Sequence, residues 1–447
     1  DVTSDMSKAT TANTIYSPGY RNYALAILFL GYVVNFIDRS ILSILLEPIK
    51  QELLLSDTEL GLLGGLAFAM FYATLGIPIA SLADRWSRTK VLAISMIIWS
   101  AMTALCGAAN NFLMLLLARI GVGVGEAGAS PPSHSLISDY FPVEKRATAL
   151  SIYALGIPFG SMIGNFVGGW GAAELGWRMT FLLVGLPGIF VAGIILTTLR
   201  EPPRGMSESA AVKAAAAKNV EPAPALKEVF KFLWQRKSFR HLGFAAGLHA
   251  FVGYGAGVWN APFLIRSHEM PITEVGSWLA IISGIGAIGT FGGGYLGDKL
   301  SDWTDDRRWY LWIAGISTLV MVPFQFTAYL YDGIWTVIPA LAVVSILGGM
   351  YLGPSFAMTQ ALVTLRMRAV ASALLLFMLN IIGMGLGPYF VGIASDLLNP
   401  SFEIHSLRYA LCLCVLANLW AAVHYFLGAI TLREDLDSTE VLMTQHG

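Results

Sequence analysis

The sequence predicts an all-α membrane protein with twelve transmembrane helices in two six-helix bundles. Three observations predict it: a shortage of charge, twelve long apolar stretches, and a lopsided distribution of lysine and arginine. The chain is 55% hydrophobic and only 13% charged, about half the charge that a soluble domain carries. A water-facing surface cannot be built from that allotment. Forty-six glycines and twelve tryptophans fit a membrane bundle, in which small residues let helices approach and aromatics sit at the interfaces.

A spanning helix needs about 20 mostly apolar residues. Such stretches run over 23–46, 59–83, 91–109, 112–137, 147–171 and 179–199, then over 241–265, 274–299, 309–330, 334–360, 370–395 and 408–431. The first twenty residues are polar, so no cleavable leader is expected there. With the spans threaded alternately, 22 of the 28 Lys and Arg residues fall on the side of the N-terminus and four on the other. The remaining two, Arg39 and Arg119, lie inside spans. The positive-inside rule then places both termini and the central segment in the cytoplasm. A miscounted span would scramble this asymmetry, so charge supports the count independently of hydropathy.

The expected organisation is a bundle over 1–199, a cytoplasmic linker over 200–239, and a second bundle with a tail over 240–447. The linker opens on Arg-Glu-Pro-Pro-Arg-Gly and holds an Ala/Lys run and Glu-Pro-Ala-Pro, a flexible composition. Its end sets Leu226, Val229, Phe230 and Leu233 among Lys227, Lys231 and Arg236. That pattern suits a short helix on the inner leaflet or a solvated linker helix. The halves echo each other. Ala-Ser-Leu-Ala-Asp84-Arg85 recurs as Gly-Tyr-Leu-Gly-Asp298-Lys299, Arg146-Ala-Thr-Ala as Arg368-Ala-Val-Ala, and Trp177-Arg178 as Leu407-Arg408. Two halves in the same orientation make a parallel repeat, with a substrate cavity between them near mid-membrane.

The run Asp84-Arg85-Trp-Ser-Arg88-Thr-Lys90 resembles motif A of the major facilitator superfamily, and Gly294-Tyr-Leu-Gly-Asp298-Lys299 resembles its second copy. Two usual glycines of that motif are Ala80 and Ser87 here. Arg119-Ile-Gly121-Val-Gly123-Val-Gly125 resembles motif B, and Gly156, Gly160, Gly164 and Gly168 are similar to a glycine face seen in antiporters, without the full motif. Asn35-Phe-Ile-Asp38-Arg39 with Gly125-Glu126-Ala-Gly-Ala-Ser130-Pro-Pro resembles the spinster family of lipid transporters, its bacterial members above all. The resemblance covers nearly the whole chain. It implies the major facilitator fold, a bacterial inner membrane and a monomer. It also implies proton-driven transport of a lysolipid or sphingoid phosphate by alternating access.

Asp38, Arg39, Arg119 and Glu126 stand deep within spans, where each charge costs about 2.5–3.5 kcal/mol on insertion scales. They are therefore candidates for a transport pathway; the plain alternative is a buried ion-pair cluster that only fixes packing. Asp38 and Arg39 are neighbours and point about 100° apart, whereas Arg119 and Glu126, two turns apart, share a face. Burial disfavours a charged carboxylate and a nearby arginine favours it. A carboxylate balanced between the two takes up and releases protons, so Asp38 and Glu126 are the expected proton carriers. Arg39 offers a phosphate a bidentate fork, and the likeness to motif B adds Arg119. Tyr254, Trp259 and Asn260 in the seventh span are further candidates for substrate contact, with interface aromatics as the alternative.

Asp84 and Asp298, at helix ends, are expected to work with Arg85, Arg88, Arg146 and Lys299 as a latch of the outward-facing state; juxtamembrane topology charge is the bland reading. His134, His249 and His424 lie in spans and read as packing residues, although the helix of His249 lines the expected cavity. Pro158 and Gly387-Pro388 read as bends or close contacts. Cys106, Cys412 and Cys414 lie in apolar stretches and define neither a disulfide framework nor a metal site. A net charge of −1 leaves no basic excess for nucleic acid. No phosphate-binding loop and no nucleophile–His arrangement is present. Neither a cofactor nor an enzymatic activity is expected. Protons, membrane lipids and a lipid-like or anionic small molecule are the expected partners. A proton-coupled carrier of a small organic anion or sugar acid is the competing function.

Overall fold

In this computed structural model the described residues are 16–207 and 225–445. The Ala/Lys run and Glu-Pro-Ala-Pro of the linker lie outside them. The first half consists of α1 (Pro18–Leu53), α2 (Asp57–Ala83), α3 (Arg88–Cys106), α4 (Phe112–Tyr140), α5 (Thr148–Glu174) and α6 (Gly176–Thr198). The second consists of α7 (Lys237–His268), α8 (Ile272–Thr304), α9 (Trp309–Leu330), α10 (Ile334–Ala361), α11 (368–402) and α12 (Ser406–Gln445). Length and composition alone single out ten membrane-crossing stretches among the described residues. The last of these, Arg368–Val441, holds two helices that part at Glu403, where φ is 47°. The 32-residue α7 completes the twelve, its apolar run diluted by His249 and Asn260. The twelve expected spans are all present, generally a few residues longer than hydropathy alone outlines.

Local chemistry sets the ends. Ser17 accepts a hydrogen bond from the Tyr20 amide and Pro18 occupies the first turn of α1, where its missing N–H costs nothing. Ser56 and Glu59 form a capping box that starts α2. Within each half the same neighbours pack: α3 on α6 and α9 on α12. Arg178, at the start of α6, binds the carbonyls of Gly107 (3.2 Å) and Ala109 just beyond α3. Its repeat partner Arg408, at the start of α12, pairs with Asp332 just beyond α9 at 2.7 Å. The echo in sequence is thus one tie built twice, as a parallel repeat requires.

The linker helix Leu226–Gln235 lies on the second half, with Val229 and Leu233 buried in the core it shares with α7 and α11. Its Phe230 and Trp234 are exposed and stacked, 5.4 Å between centroids. The bundle end carrying this linker is the linker side, and its opposite the far side. On the far side one apolar core runs through both halves, joining Ile44, Leu60 and Phe181 to Trp259, Leu264 and Val391. Toward the linker side there are two separate cores, one largely of the first half and one of the second.

Candidate functional site

The glycine face of α5 places the charged part of α1. A β-carbon on Gly160 would meet the Val33 carbonyl at 2.5 Å, and one on Gly164 would meet Ile37 at 3.0 Å. The two helices pack backbone to backbone, as small residues allow in a membrane. A fixed α1 then sends Asp38 and Arg39 in different directions. Asp38 is fully buried and accepts a hydrogen bond from Thr103 Oγ1 of α3 at 3.2 Å. Arg39 points to α4, where its Nε donates to Glu126 Oε2 at 2.6 Å. The Glu126 side chain is 0% exposed and that of Arg39 19%, so the arginine faces the cavity and the carboxylate lies behind it. Phe36, Phe68 and Tyr72 surround the guanidinium with ring centroids at 5.1, 5.2 and 4.6 Å. Their negative faces stabilise the cation in a medium that hydrates it poorly.

The cavity between the halves has a volume of about 720 Å³. Arg39 is the one Lys, Arg, Asp or Glu among its described lining residues. Tyr32, Tyr72 and Tyr153 continue the first-half wall, and Leu279, Ile282, Met321, Leu341 and Val344 make an apolar strip on the second. Tyr254 and Asn260 line the cavity, and Asn260 accepts a hydrogen bond from Tyr329 at 3.0 Å. His134 and His249 line it too. His249 Nε2 donates to the Gly348 carbonyl (3.0 Å), and Nδ1 lies 2.8 Å from Thr318 Oγ1. His424 instead pairs with His241, 2.8 Å between their Nδ1 atoms.

Two expected substrate contacts are corrected. Trp259 is fully buried and donates its indole N–H to the Pro388 carbonyl at 2.8 Å, so it cements α7 to α11. Arg119 is 3% exposed, does not line the cavity, and sits over Phe68 at 5.5 Å. The face it shares with Glu126 looks into the first bundle.

On the linker side the expected latch residues are spread out. The side chain of Asp84 lies outside the described residues, and Arg85 is exposed. Arg146 is half-buried. Arg88 is 1% exposed and binds Glu201 (2.8 Å), Ser135 (2.8 Å), the Pro202 carbonyl (2.7 Å) and Asp139, all in or just after the first half. Glu201 also accepts from the Thr89 amide at 2.9 Å and so caps α3. Burial pushes the Glu201 carboxyl up, but the Thr89 amide and Arg88 outweigh it and hold it below its ordinary range. Asp298 accepts from Tyr310 at 2.6 Å and Lys299 lies 5.6 Å from the Tyr295 ring centre. Among the described residues, Arg88 contacts the first half and the start of the linker, and the contacts of Asp298 and Lys299 stay within the second half.

Among the described residues, the charged contacts that cross the halves lie on the far side, and the sequence reading missed them. Arg266 of α7 donates to Glu47 of α1 (2.6 Å) and to Asp57 of α2 (2.8 and 2.9 Å). Lys50 joins Asp57 at 2.5 Å, and Ser395 donates to it at 2.6 Å. Asp396 of α11 accepts from the amides of Asp57 (3.0 Å) and Thr58 (2.7 Å), capping α2 from the opposite half. A polar cluster Ser56-Asp57-Thr58-Glu59 signals only a helix start. Nothing in the sequence ties it to residues 266 and 396. At the α5–α8 seam, a β-carbon on Gly276 would meet the Asn165 carbonyl at 2.5 Å.

The family model "Major Facilitator Superfamily" matches residues 28–431. An MFS-type efflux pump of Mycolicibacterium smegmatis is 33% identical over 92% of this chain and 94% of its own length. A hexuronate transporter of Bacillus subtilis is 27% identical over 61% of this chain and 63% of its own. The crystal structure of a bacterial homolog to the human lysosomal transporter Spinster, inward-facing and unoccupied, is 33% identical. It superposes with a TM-score of 0.86, covering 94% of this chain and 99% of that one. These likenesses agree with the twelve-helix fold. The chain belongs to the major facilitator superfamily, as a multi-pass, spinster-like secondary transporter of a small-molecule substrate and not an enzyme.

Proposed function

We propose that the chain is a proton-coupled transporter that moves an amphipathic lipid, such as a lysophospholipid or sphingoid phosphate, by alternating access. One observation carries the reading: Arg39, on the cavity wall, is held by Glu126 hidden behind it. Protonating Glu126 frees the guanidinium, and ionising it ties the guanidinium back. Asp38, one residue along and turned into the bundle, is the second proton carrier. The negative end of the substrate meets Arg39, and its chain lies along the apolar strip of the second half. Tyr254 and Asn260 flank it. The resemblance of the Asn35–Arg39 and Gly125–Pro132 stretches to the spinster family of lipid transporters supports a lipid. The linker side is cytoplasmic by the positive-inside rule. The conformation is then inward-open, with the Arg266 cluster closing the outer gate. The latch of Asp84, Arg85, Arg88, Arg146, Asp298 and Lys299 belongs to the opposite state, when the halves meet on the linker side.

A small organic anion is the second reading, favoured by the likeness to a hexuronate transporter and by a guanidinium that suits a carboxylate as well as a phosphate. Proteoliposomes under a proton gradient, offered labelled lysophospholipid or labelled hexuronate, separate the two. Asp38→Asn and Glu126→Gln mimic permanent protonation. Each is expected to fold, yet to lose the pH dependence of the conformational equilibrium, because a proton shifts populations only by its differential affinity for the two states. A wild-type pH response of cross-half distances in both variants defeats the coupling role. Arg39→Lys is expected to lower substrate affinity, since a point charge lacks the guanidinium fork.

A further inference from the structure

The site has an internal order that decides how proton and substrate are linked. Glu126 holds Arg39 through Nε alone, at 2.6 Å, and a guanidinium carries four more N–H donors. The carboxylate is sealed from the cavity while the arginine is in part exposed. A ligand in the cavity therefore reaches the cation without displacing the carboxylate. The titratable and charged groups facing Glu126 and Arg39 are Tyr32 and Asp38 on α1, Tyr72 on α2, Arg119 on α4 and Tyr254 on α7, with the Asn35 amide beside Glu126.

We infer that an anionic substrate and the proton bind this site together rather than in exchange. An anion on the exposed face of Arg39 sets a second negative charge one guanidinium away from Glu126. Like charges so close disfavour joint ionisation. The anion thus strengthens proton binding at Glu126, and a protonated Glu126 leaves Arg39 wholly to the anion. The linkage is reciprocal by thermodynamic necessity. Asp38, also facing Glu126, acts in the same direction, since its charge too repels the anion. Proton and anion then load from one side and cross together, which is symport. Exchange would need the substrate to compete for the carboxylate, and the carboxylate is out of its reach. The inference rests on the proton-coupled reading above and extends it to the sign of coupling and the charge of the substrate.

The test uses the full chain in nanodiscs and needs no variant to begin. Lysophosphatidylglycerol and glucuronate keep one negative charge between pH 5.5 and 7.5; lysophosphatidylcholine is the zwitterionic comparison. The anionic ligand is expected to bind about tenfold tighter at pH 5.5, within the usual range of coupling between sites. Calorimetry in buffers of different ionisation heat is expected to register proton uptake on binding. Glu126→Gln should bind with the low-pH affinity at both pH values and take up less than the wild type. Weaker binding at low pH, or proton release on binding, overturns the inference in favour of exchange. Linkage seen with glucuronate and not with lysolipid upholds it and transfers the substrate to the small anions. Absence of linkage for both anions overturns it, while a surviving pH response of cross-half distances would leave proton coupling itself standing.

Discussion

Replacing Arg266 by glutamine is expected to open the far-side gate. The wild-type guanidinium makes three hydrogen bonds to carboxylates of the other half, at 2.6, 2.8 and 2.9 Å. The side chains of Arg266, Glu47 and Asp57 are 14%, 9% and 4% exposed, so little water screens them. Hydrogen bonds to charged groups contribute about 1.5–3 kcal/mol each. Lys50 remains on Asp57 at 2.5 Å and keeps that carboxylate paired from within its own half. The loss specific to the cross-half closure is then that of about two of the weaker bonds, about 3 kcal/mol, or roughly a hundredfold in a two-state population. Asp396 still caps α2 across the gate, so the two sides should become comparable in population rather than fully reversed. Spin labels at Leu54 and Ile404, exposed on the far side of opposite halves, report opening there. Labels at Trp86 and Trp303 report closure on the linker side. The expected result is a new long-distance population in the first pair, matched by a shorter one in the second. Distributions identical to wild type would refute the assignment of this cluster as the lock.

Two further variants test how the halves are built. Glu201→Gln should lower stability by about 1–3 kcal/mol at neutral pH, since the carboxylate caps α3 and pairs with Arg88. Its folded-state pKa is lowered, so its contribution is full above the unfolded value and fades as pH falls through the lowered one. Thermal unfolding should therefore separate variant from wild type at pH 7 and converge in acid; a gap that persists at low pH would contradict it. Gly289→Ala would set a β-carbon 1.7 Å from the Ile346 carbonyl, and overpacking of that kind costs at least about 1–3 kcal/mol. Detergent-solubilised thermal unfolding should show a lower midpoint, and an unchanged midpoint would count against the α8–α10 contact.

Much of the fold was legible because hydropathy and charge sign act on each segment by itself. Twelve apolar stretches, the lysine and arginine asymmetry and the doubled Trp177-Arg178 and Leu407-Arg408 each depend on residues close in the chain. The buried charges of α1 and α4 were legible for the same reason: a charge inside a spanning segment is costly wherever its partner lies. That Asp38 and Arg39 would seek different partners also followed, since adjacent helical residues point apart.

Partner identity was another matter. Asp57 is 209 residues from Arg266 and 338 from Ser395, and no local rule ranks those pairings above any other. Arg88 was read with its neighbours in motif A, yet it bonds Glu201, 113 residues on. Trp259 read as a ligand contact because aromatic residues serve as well in a cavity as in a seam; only the approach of α11 to α7 turned its N–H toward Pro388. The sequence by itself determined which segments enter the membrane and that successive loops alternate between its two faces, because partition between lipid and water is decided residue by residue. Only the tertiary structure decided which charges meet, that Glu126 stands behind Arg39, and at which end the halves are locked, because those depend on helices that come together from opposite ends of the chain.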